Sequence, residues 1–140
     1  MARPAVGAGA VGLARAAYEE ALEYSKNRIQ FGKPIAQFQH NAFKLVDMSM
    51  AIEASRLMVF RSASMLDSKV KASKESAMAK IMATDAAMSI TVDAIQLMGG
   101  YGYMKEYPLE KMMRDAKLFQ IYEGTNEIQR HVISLDILGK

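Results

Sequence analysis

Helical periodicity over three long segments, sparse proline and glycine, and no run of convincing strand alternation predict an all-α protein. The expected architecture is an up-down, four-helix-bundle-like domain: three long antiparallel helices followed by shorter C-terminal ones. Pro4 opens the first helix, where a missing N–H costs little, and the helical pattern runs over residues 5–26. Gly7, Gly9 and Gly12 fall in its first half and each cost about 1 kcal/mol against alanine. That end is therefore expected to pack closely on another backbone. The stretch NRIQFGKPI (27–35) then breaks the pattern. Residues 37–68 form the longest helix. Leu45, Ile52, Val59 and Leu66 recur every seven positions as its seam, and a second apolar row, Phe43, Val46, Met50 and Leu57, lies beside it. After the polar turn DSKVKASKES, a third helix covers 74–98, with Ile81, Met88 and Ile95 at heptad spacing and Ala77, Thr84 and Thr91 as smaller contacts. GGYGY (99–103) stops it. Pro108 begins a short helix over 108–118, and a last helix covers 126–138, where Asn126 and Gln129 have the spacing of a cap.

A chain of 140 residues, 51% hydrophobic and 24% charged, fits one folded domain with a real core. There is no cysteine, so disulfide and thiolate chemistry are excluded, and His40 and His131 have no ligand-like spacing; no metal site is expected. The net charge of +3 is dispersed, as in EYSKNR and LEKMMRDAK, so no nucleic-acid partner is expected. No apolar run reaches the roughly 18 residues that span a bilayer, so no membrane span is expected. MARPAVGAGAVGLARAAYEE begins like a signal peptide but runs into a helix pattern without a clear cleavage site; a folded helix and no targeting segment are expected. The 12 methionines read as core and interface filler, with Met50, Met88 and Met98 on the apolar rows. Apolar faces this wide predict association with further copies or another domain.

Three helix-breaking segments carry the unusual residues. NRIQFGK places Arg28, Phe31 and Lys33 around a glycine. A guanidinium fork suits a pyrophosphate, but a plain interhelical turn explains the same residues. QLMGGYGYMKEY offers glycines that admit a ligand close to the backbone, or simply a helix C-cap and loop. It is no dinucleotide fingerprint, because the helix precedes the glycines. In YEGTNEIQR, Glu123 stands before a helix start, whose dipole favours an anion, among partly apolar neighbours that raise a carboxylate's pKa. Surface charge and working base both remain open on these residues.

In combination, RIQFGKPIAQFQ, QLMGGYGYMKEYPLEKMMRDAK and IYEGTNEIQR resemble, in order and spacing, the C-terminal domain of the acyl-CoA dehydrogenases of the short-, medium- and branched-chain type. The resemblance runs from Arg3 to Gly139. It implies a flavoenzyme that converts an acyl-CoA thioester to the trans-2-enoyl-CoA. Glu123 resembles the general base that removes the α-proton as the β-hydride moves to flavin N5. Some relatives place their base at a position corresponding to Ala2, which cannot serve. Gly124 and Tyr122 resemble residues against the acyl-CoA, and Arg3 matches an arginine near that site. Arg28, Phe31 and Gln39 resemble residues that hold the FAD of a neighbouring subunit, with Gln96, Leu97, Met98, Gly99 and Gly100 along its adenosine part. Thr125, Asn126 and Glu127 resemble residues that meet FAD beside the base.

The resemblance further implies a homotetramer or dimer with FAD shared between subunits. It implies electron-transferring flavoprotein as acceptor for the full-length enzyme, and a role in fatty acid β-oxidation. The expected compartment is a bacterial cytoplasm or a mitochondrial matrix. Family members carry a helical N-terminal domain and a middle β-domain before this one. Residues 1–140 therefore read as the C-terminal domain alone, a fragment or truncated product with little activity in isolation. Two other readings share these residues: a helical assembly module without activity of its own, and an acyl-CoA oxidase-like relative that passes electrons to oxygen.

Overall fold

The structure, a computed structural model, describes residues 3–139. Helix α1 covers Arg3–Asn27, α2 Gln39–Asp67 and α3 Ser73–Met98; a single turn, α4, covers Gly100–Tyr103; α5 covers Leu109–Ile121 and α6 Asn126–Ile137. The all-α expectation holds, with one addition. NRIQFGKPI contains a small antiparallel hairpin, β1 (Ile29–Gln30) on β2 (Lys33–Pro34), followed by a 3-10 turn over Ile35–Gln37. Two residues per strand are too few for any alternation to show in sequence. Helix α5, expected over 108–118, also runs longer, to Ile121.

Cross-contacts set the directions. Arg3 reaches Ser73, so the first turns of α1 and α3 meet, and these helices run parallel. Lys44 pairs with Asp93 while Ser55 meets Met82, so α2 runs antiparallel to α3. Lys80 reaches the Gln120 carbonyl near the end of α5, and Lys74 pairs with Asp136 near the end of α6. Helix α3 is thus the axis on which α1, α2, α5 and α6 all pack. By length and composition alone it could cross a membrane, the one helix among the described residues of which this is true. The expectation of no such stretch is corrected to that extent. Its apolarity follows from its place: four helices pack on it, and it carries Lys80, Asp85 and Asp93 toward polar partners.

Small residues dominate the core. Ala10, Ala14, Ala17 and Ala21 line α1, and Ala83, Ala87 and Ala94 line α3, all at most 1% exposed. Helix axes approach to the low end of the usual 8–10 Å spacing when such residues face each other. The heptad reading of α3 is therefore displaced by one face. Its buried rows are Ser76–Ala83–Ile90–Leu97 and Ala77–Thr84–Thr91–Met98, whereas Ile81, Met88 and Ile95 are only half-buried. Bulky side chains pack around the tight seam and do not form it. On α2, Leu45, Met48 and Ile52 enter the core, but Phe43, Val46, Met50, Leu57 and Phe60 are all exposed. This second apolar row remains bare in the single chain, as the width of the face predicts. Met50 accordingly does not fill the core.

The close packing inferred from the α1 glycines applies to Gly7. A Cβ there would lie 2.9 Å from Val59 Cγ2 and 3.4 Å from the Ala79 carbonyl, a three-helix contact. Gly9 meets the Phe119 ring at 3.4 Å, while nothing lies within 4 Å of the same atom at Gly12. Gly7→Ala should consequently destabilise the fold by about 1–3 kcal/mol through overpacking. Gly12→Ala should stabilise it by up to about 1 kcal/mol through helix propensity. Urea unfolding of the two variants checks the opposite signs; equal shifts would contradict the packing.

Candidate active site

Helix α5 ends at Ile121, and α6 begins after the four intervening residues 122–125. Between them the backbone takes two consecutive left-handed steps, Glu123 at φ 53° and Gly124 at φ 90°. For glutamate this conformation costs about 1–3 kcal/mol and persists only where its surroundings over-determine it. They do so here. Gln129, in the first turn of α6, is 1% exposed, and its Nε2 donates to the carbonyls of Glu123 (3.2 Å) and Gly124 (3.1 Å). Thr125 is the N-cap, its Oγ1 accepting from the Ile128 N–H at 3.3 Å. The cap expected from Asn126 and Gln129 is thus displaced by one residue: both side chains turn inward. The Glu127 carboxyl is held below the usual carboxylate range by its own backbone N–H and the Thr125 hydroxyl.

Asn126 is 3% exposed and enters a buried polar network on α3. Its Oδ1 accepts from Lys80 Nζ at 2.7 Å, and its Nδ2 donates to Thr84 Oγ1 (2.9 Å) and Asp85 Oδ1 (2.7 Å). Lys80 is fully buried, and its Nζ also donates to the Gln120 carbonyl at 3.2 Å. Burial pushes its ammonium below the usual lysine value, against the pull of Asp85 and Glu127. Asp85 Oδ1 further accepts from Gln120 Nε2 at 2.7 Å, and its Oδ2 accepts from Arg130 at 3.2 Å. The sequence reading missed this network. A signal was present: a lysine stands in the most apolar helix, in heptad register with Ala87 and Ala94.

Glu123 itself is exposed, and among the described residues no group accepts its backbone N–H. Tyr122, ahead of it, packs its ring 5.5 Å from that of Phe119, and burial, then the neighbouring Glu123, pushes its phenol above the usual value. The two rings open onto a largely apolar pocket of about 320 Å³ with Gly9 and Leu13 of α1. Arg3, at the same end of the bundle, is half-buried with its guanidinium 3.3 Å from Ser73 Oγ. Ala2, the alternative base position, lies outside the described residues.

A second group gathers at the opposite end of α3. Arg28, Gln30, Gln96, Gly99, Gly100 and Tyr101 are among the residues around an open cleft of about 490 Å³. Two segments with no sequence proximity thus share one surface. The Arg28 guanidinium stands 5.8 Å from the centre of the Tyr101 ring, and Tyr101 packs on Tyr24 and Tyr107. Gly102 anchors this corner, since a Cβ there would lie 2.8 Å from the Ile95 carbonyl oxygen. Leu97 and Met98 border the cleft but are 8% and 3% exposed, so their side chains belong mainly to the core. Phe31 is 92% exposed at the hairpin tip, its ring 6.2 Å from Phe38. Gln39 is exposed at the start of α2. Neither lines the cleft. Tyr24, Tyr101 and Met104 do, and went unread, because only the fold brings the end of α1 and the α4 turn to one wall. From Thr84 to Leu97 the helix rises about 20 Å, so the cleft and the Glu123 loop are separate sites within one chain.

Over residues 1–138 the chain matches the family described as acyl-CoA dehydrogenase, C-terminal domain. It is 51% identical over 137 residues to an acyl-CoA dehydrogenase of Bacillus subtilis, covering 98% of this chain and 36% of that protein. It is 46% identical to subunit CarC of the caffeyl-CoA reductase-Etf complex of Acetobacterium woodii, covering 99% and 36%. The solved butyryl-CoA dehydrogenase of Megasphaera elsdenii superposes with a TM-score of 0.96 at 49% identity, covering 97% of this chain and 36% of that one. The chain belongs to the acyl-CoA dehydrogenase family and matches its C-terminal domain. It spans about a third of the length of the curated relatives it matches.

The pinning of the loop has a direct consequence. A Cβ on Gly124 would lie 2.6 Å from Gln129 Nε2 at a φ that L-residues rarely adopt. Gly124→Ala should therefore cost about 1–3 kcal/mol and lower Tm by several degrees. Thermal unfolding followed by circular dichroism checks this, and an unchanged Tm would show the loop to be less constrained than the contacts imply.

Proposed function

We propose that this chain is the catalytic and assembly domain of an FAD-dependent acyl-CoA dehydrogenase, with Glu123 as the base that takes the substrate's α-proton. The observation that carries the reading is Glu123 itself: an exposed carboxylate on a left-handed backbone, held there by a buried neighbour and following Tyr122, which lines a largely apolar pocket. Stored strain of this kind concentrates at functional sites.

An α C–H is too weakly acidic for a carboxylate unless the thioester carbonyl is polarised as the proton leaves. Glu123 can contribute on both counts, its carboxylate as acceptor and its unclaimed backbone N–H as donor to the developing oxyanion. The pocket between Phe119, Tyr122, Gly9 and Leu13, with Asp115 at its edge, offers the acyl chain a largely apolar seat one residue along the chain from Glu123. Gly124 leaves room for the thioester, and Arg3 stands at the same end, in reach of a polar part of the substrate.

The residues present fit FAD. The cleft around Arg28 combines a planar cation for pyrophosphate, the Gln96 amide and the exposed glycine backbone at 99–100 with aromatic walls. When bound, FAD would supply the hydride acceptor. Because this cleft lies about 20 Å along α3 from Glu123, each serves a different flavin, which makes the cofactor shared between chains. Thr125 and Glu127 would face the flavin beside the base, while Phe31 and Gln39 would meet the other one from the hairpin and the α2 start. The bare α2 row supports the assembly role, as a homotetramer or dimer. Acyl-CoA as substrate and an electron-transferring flavoprotein as acceptor follow from the family, the CarC relative being part of an Etf complex.

Two substitutions in a full-length protein carrying this domain separate the roles. Glu123→Gln should leave flavin absorbance unchanged and lower kcat by about 10²–10⁴-fold in acyl-CoA-dependent dye reduction; near-parental turnover would remove Glu123 as base. Arg28→Ala should lower the flavin-to-protein ratio after gel filtration without altering helicity. An unaltered ratio would take Arg28 out of the flavin site.

A further inference from the structure

The connection from α5 to α6 is gripped from beneath by one turn and a half of α3. We infer that Lys80 and Asp85 form a two-handed clamp, each holding both ends of the Glu123 loop, and that Lys80 is the positioning residue that keeps the base in its working conformation. This rests on the reading of Glu123 as the base. Lys80 Nζ donates to the Gln120 carbonyl on the near side of the loop and to Asn126 Oδ1 on the far side. Asp85 Oδ1 accepts from Gln120 Nε2 and from Asn126 Nδ2, the same two residues. The pair thus spans residues 121–125 twice, with a donor group and an acceptor group.

The chemistry of the two hands is complementary. The amide of Asn126 presents its oxygen to the ammonium and its nitrogen to the carboxylate, so its orientation is set by charge at both ends. Thr84 fills the space between, its Oγ1 donating to the Lys80 carbonyl at 2.8 Å and accepting from Asn126 at 2.9 Å. Gln129, one turn further along α6, then transmits that placement to the carbonyls of Glu123 and Gly124. A fully buried ammonium is costly to desolvate, and an apolar residue would pack there at lower cost. Its position under a strained catalytic backbone gives that cost a function: a cation accepts no substitute orientation of Asn126, which an apolar floor would allow.

The test uses a flavin-loaded, full-length protein carrying this domain, with Glu123→Gln as control. Lys80→Met keeps the length of the side chain and removes its donors. The expected result is an unchanged flavin ratio, a KM for acyl-CoA within about threefold of the parent, a kcat lowered about 10–100-fold, and faster deuterium uptake in peptides spanning 118–129. Parental kcat with unchanged uptake would overturn the clamp. A lowered Tm with kcat per bound flavin unchanged would also overturn it, by making Lys80 structural only. Should Lys80→Met not fold, Asn126→Ala cuts the link to α6 while sparing that to α5, and the same measurements decide. If Glu123→Gln retains turnover, the base assignment fails, while faster uptake in Lys80→Met still establishes the clamp on the loop.

Discussion

Everything in this fold follows from how closely α1 and α3 approach. A seam of alanine on both helices lets their backbones near each other, and Gly7 carries the contact to a third helix through Val59. Small side chains bury little apolar area each, so the stabilisation comes from dense van der Waals contact along the whole length of the pair. One consequence is that large apolar side chains are pushed outward. Phe43, Met50, Leu57 and Phe60 of α2 have no counterpart inside the chain. A tight axis and a bare flank are two aspects of the same packing choice, and a domain built this way suits association.

The second consequence is that α3 becomes a rigid internal post. Its polar side chains Lys80 and Thr84 are held where solvent does not reach, with Asp85 half-exposed at the edge, and all find partners because α5 and α6 bring a carbonyl and two amides to meet them. Buried polar groups of this kind specify one arrangement when fully satisfied. Here the arrangement they specify is that of the α5–α6 connection, whose strained Glu123 lies over the post. Rigid scaffold and exposed functional loop are coupled by hydrogen bonds, which hold geometry more strictly than apolar contact does.

The same post separates the two candidate sites. At its C-terminal end, Gly99 and Gly100 open the backbone to the cleft that Arg28 closes from the hairpin; at the other end stands Glu123. A helix of this length cannot bring its ends together. On the proposed reading, a chain so built would contribute to two different flavin sites, one at each end of the post.

Periodicity along the sequence determined that the protein is helical, where its long helices lie, and which three segments interrupt them, because local propensity and apolar spacing act over a few residues. It also marked Glu123, Arg28 and the glycines at 99–100 as unusual. What tertiary structure alone decided depends on distance in space. The hairpin at 29–34 pairs only two residues per strand, the buried rows of α3 run through Ala83 and Thr84 and not through Ile81 and Met88, and Thr125, not Asn126, takes the cap because Asn126 is drawn inward. Lys80 shows the limit most clearly. On a linear chain it is one of 18 basic residues. Only when residues 40 and 46 positions away converge on its ammonium does it become the floor of the Glu123 loop.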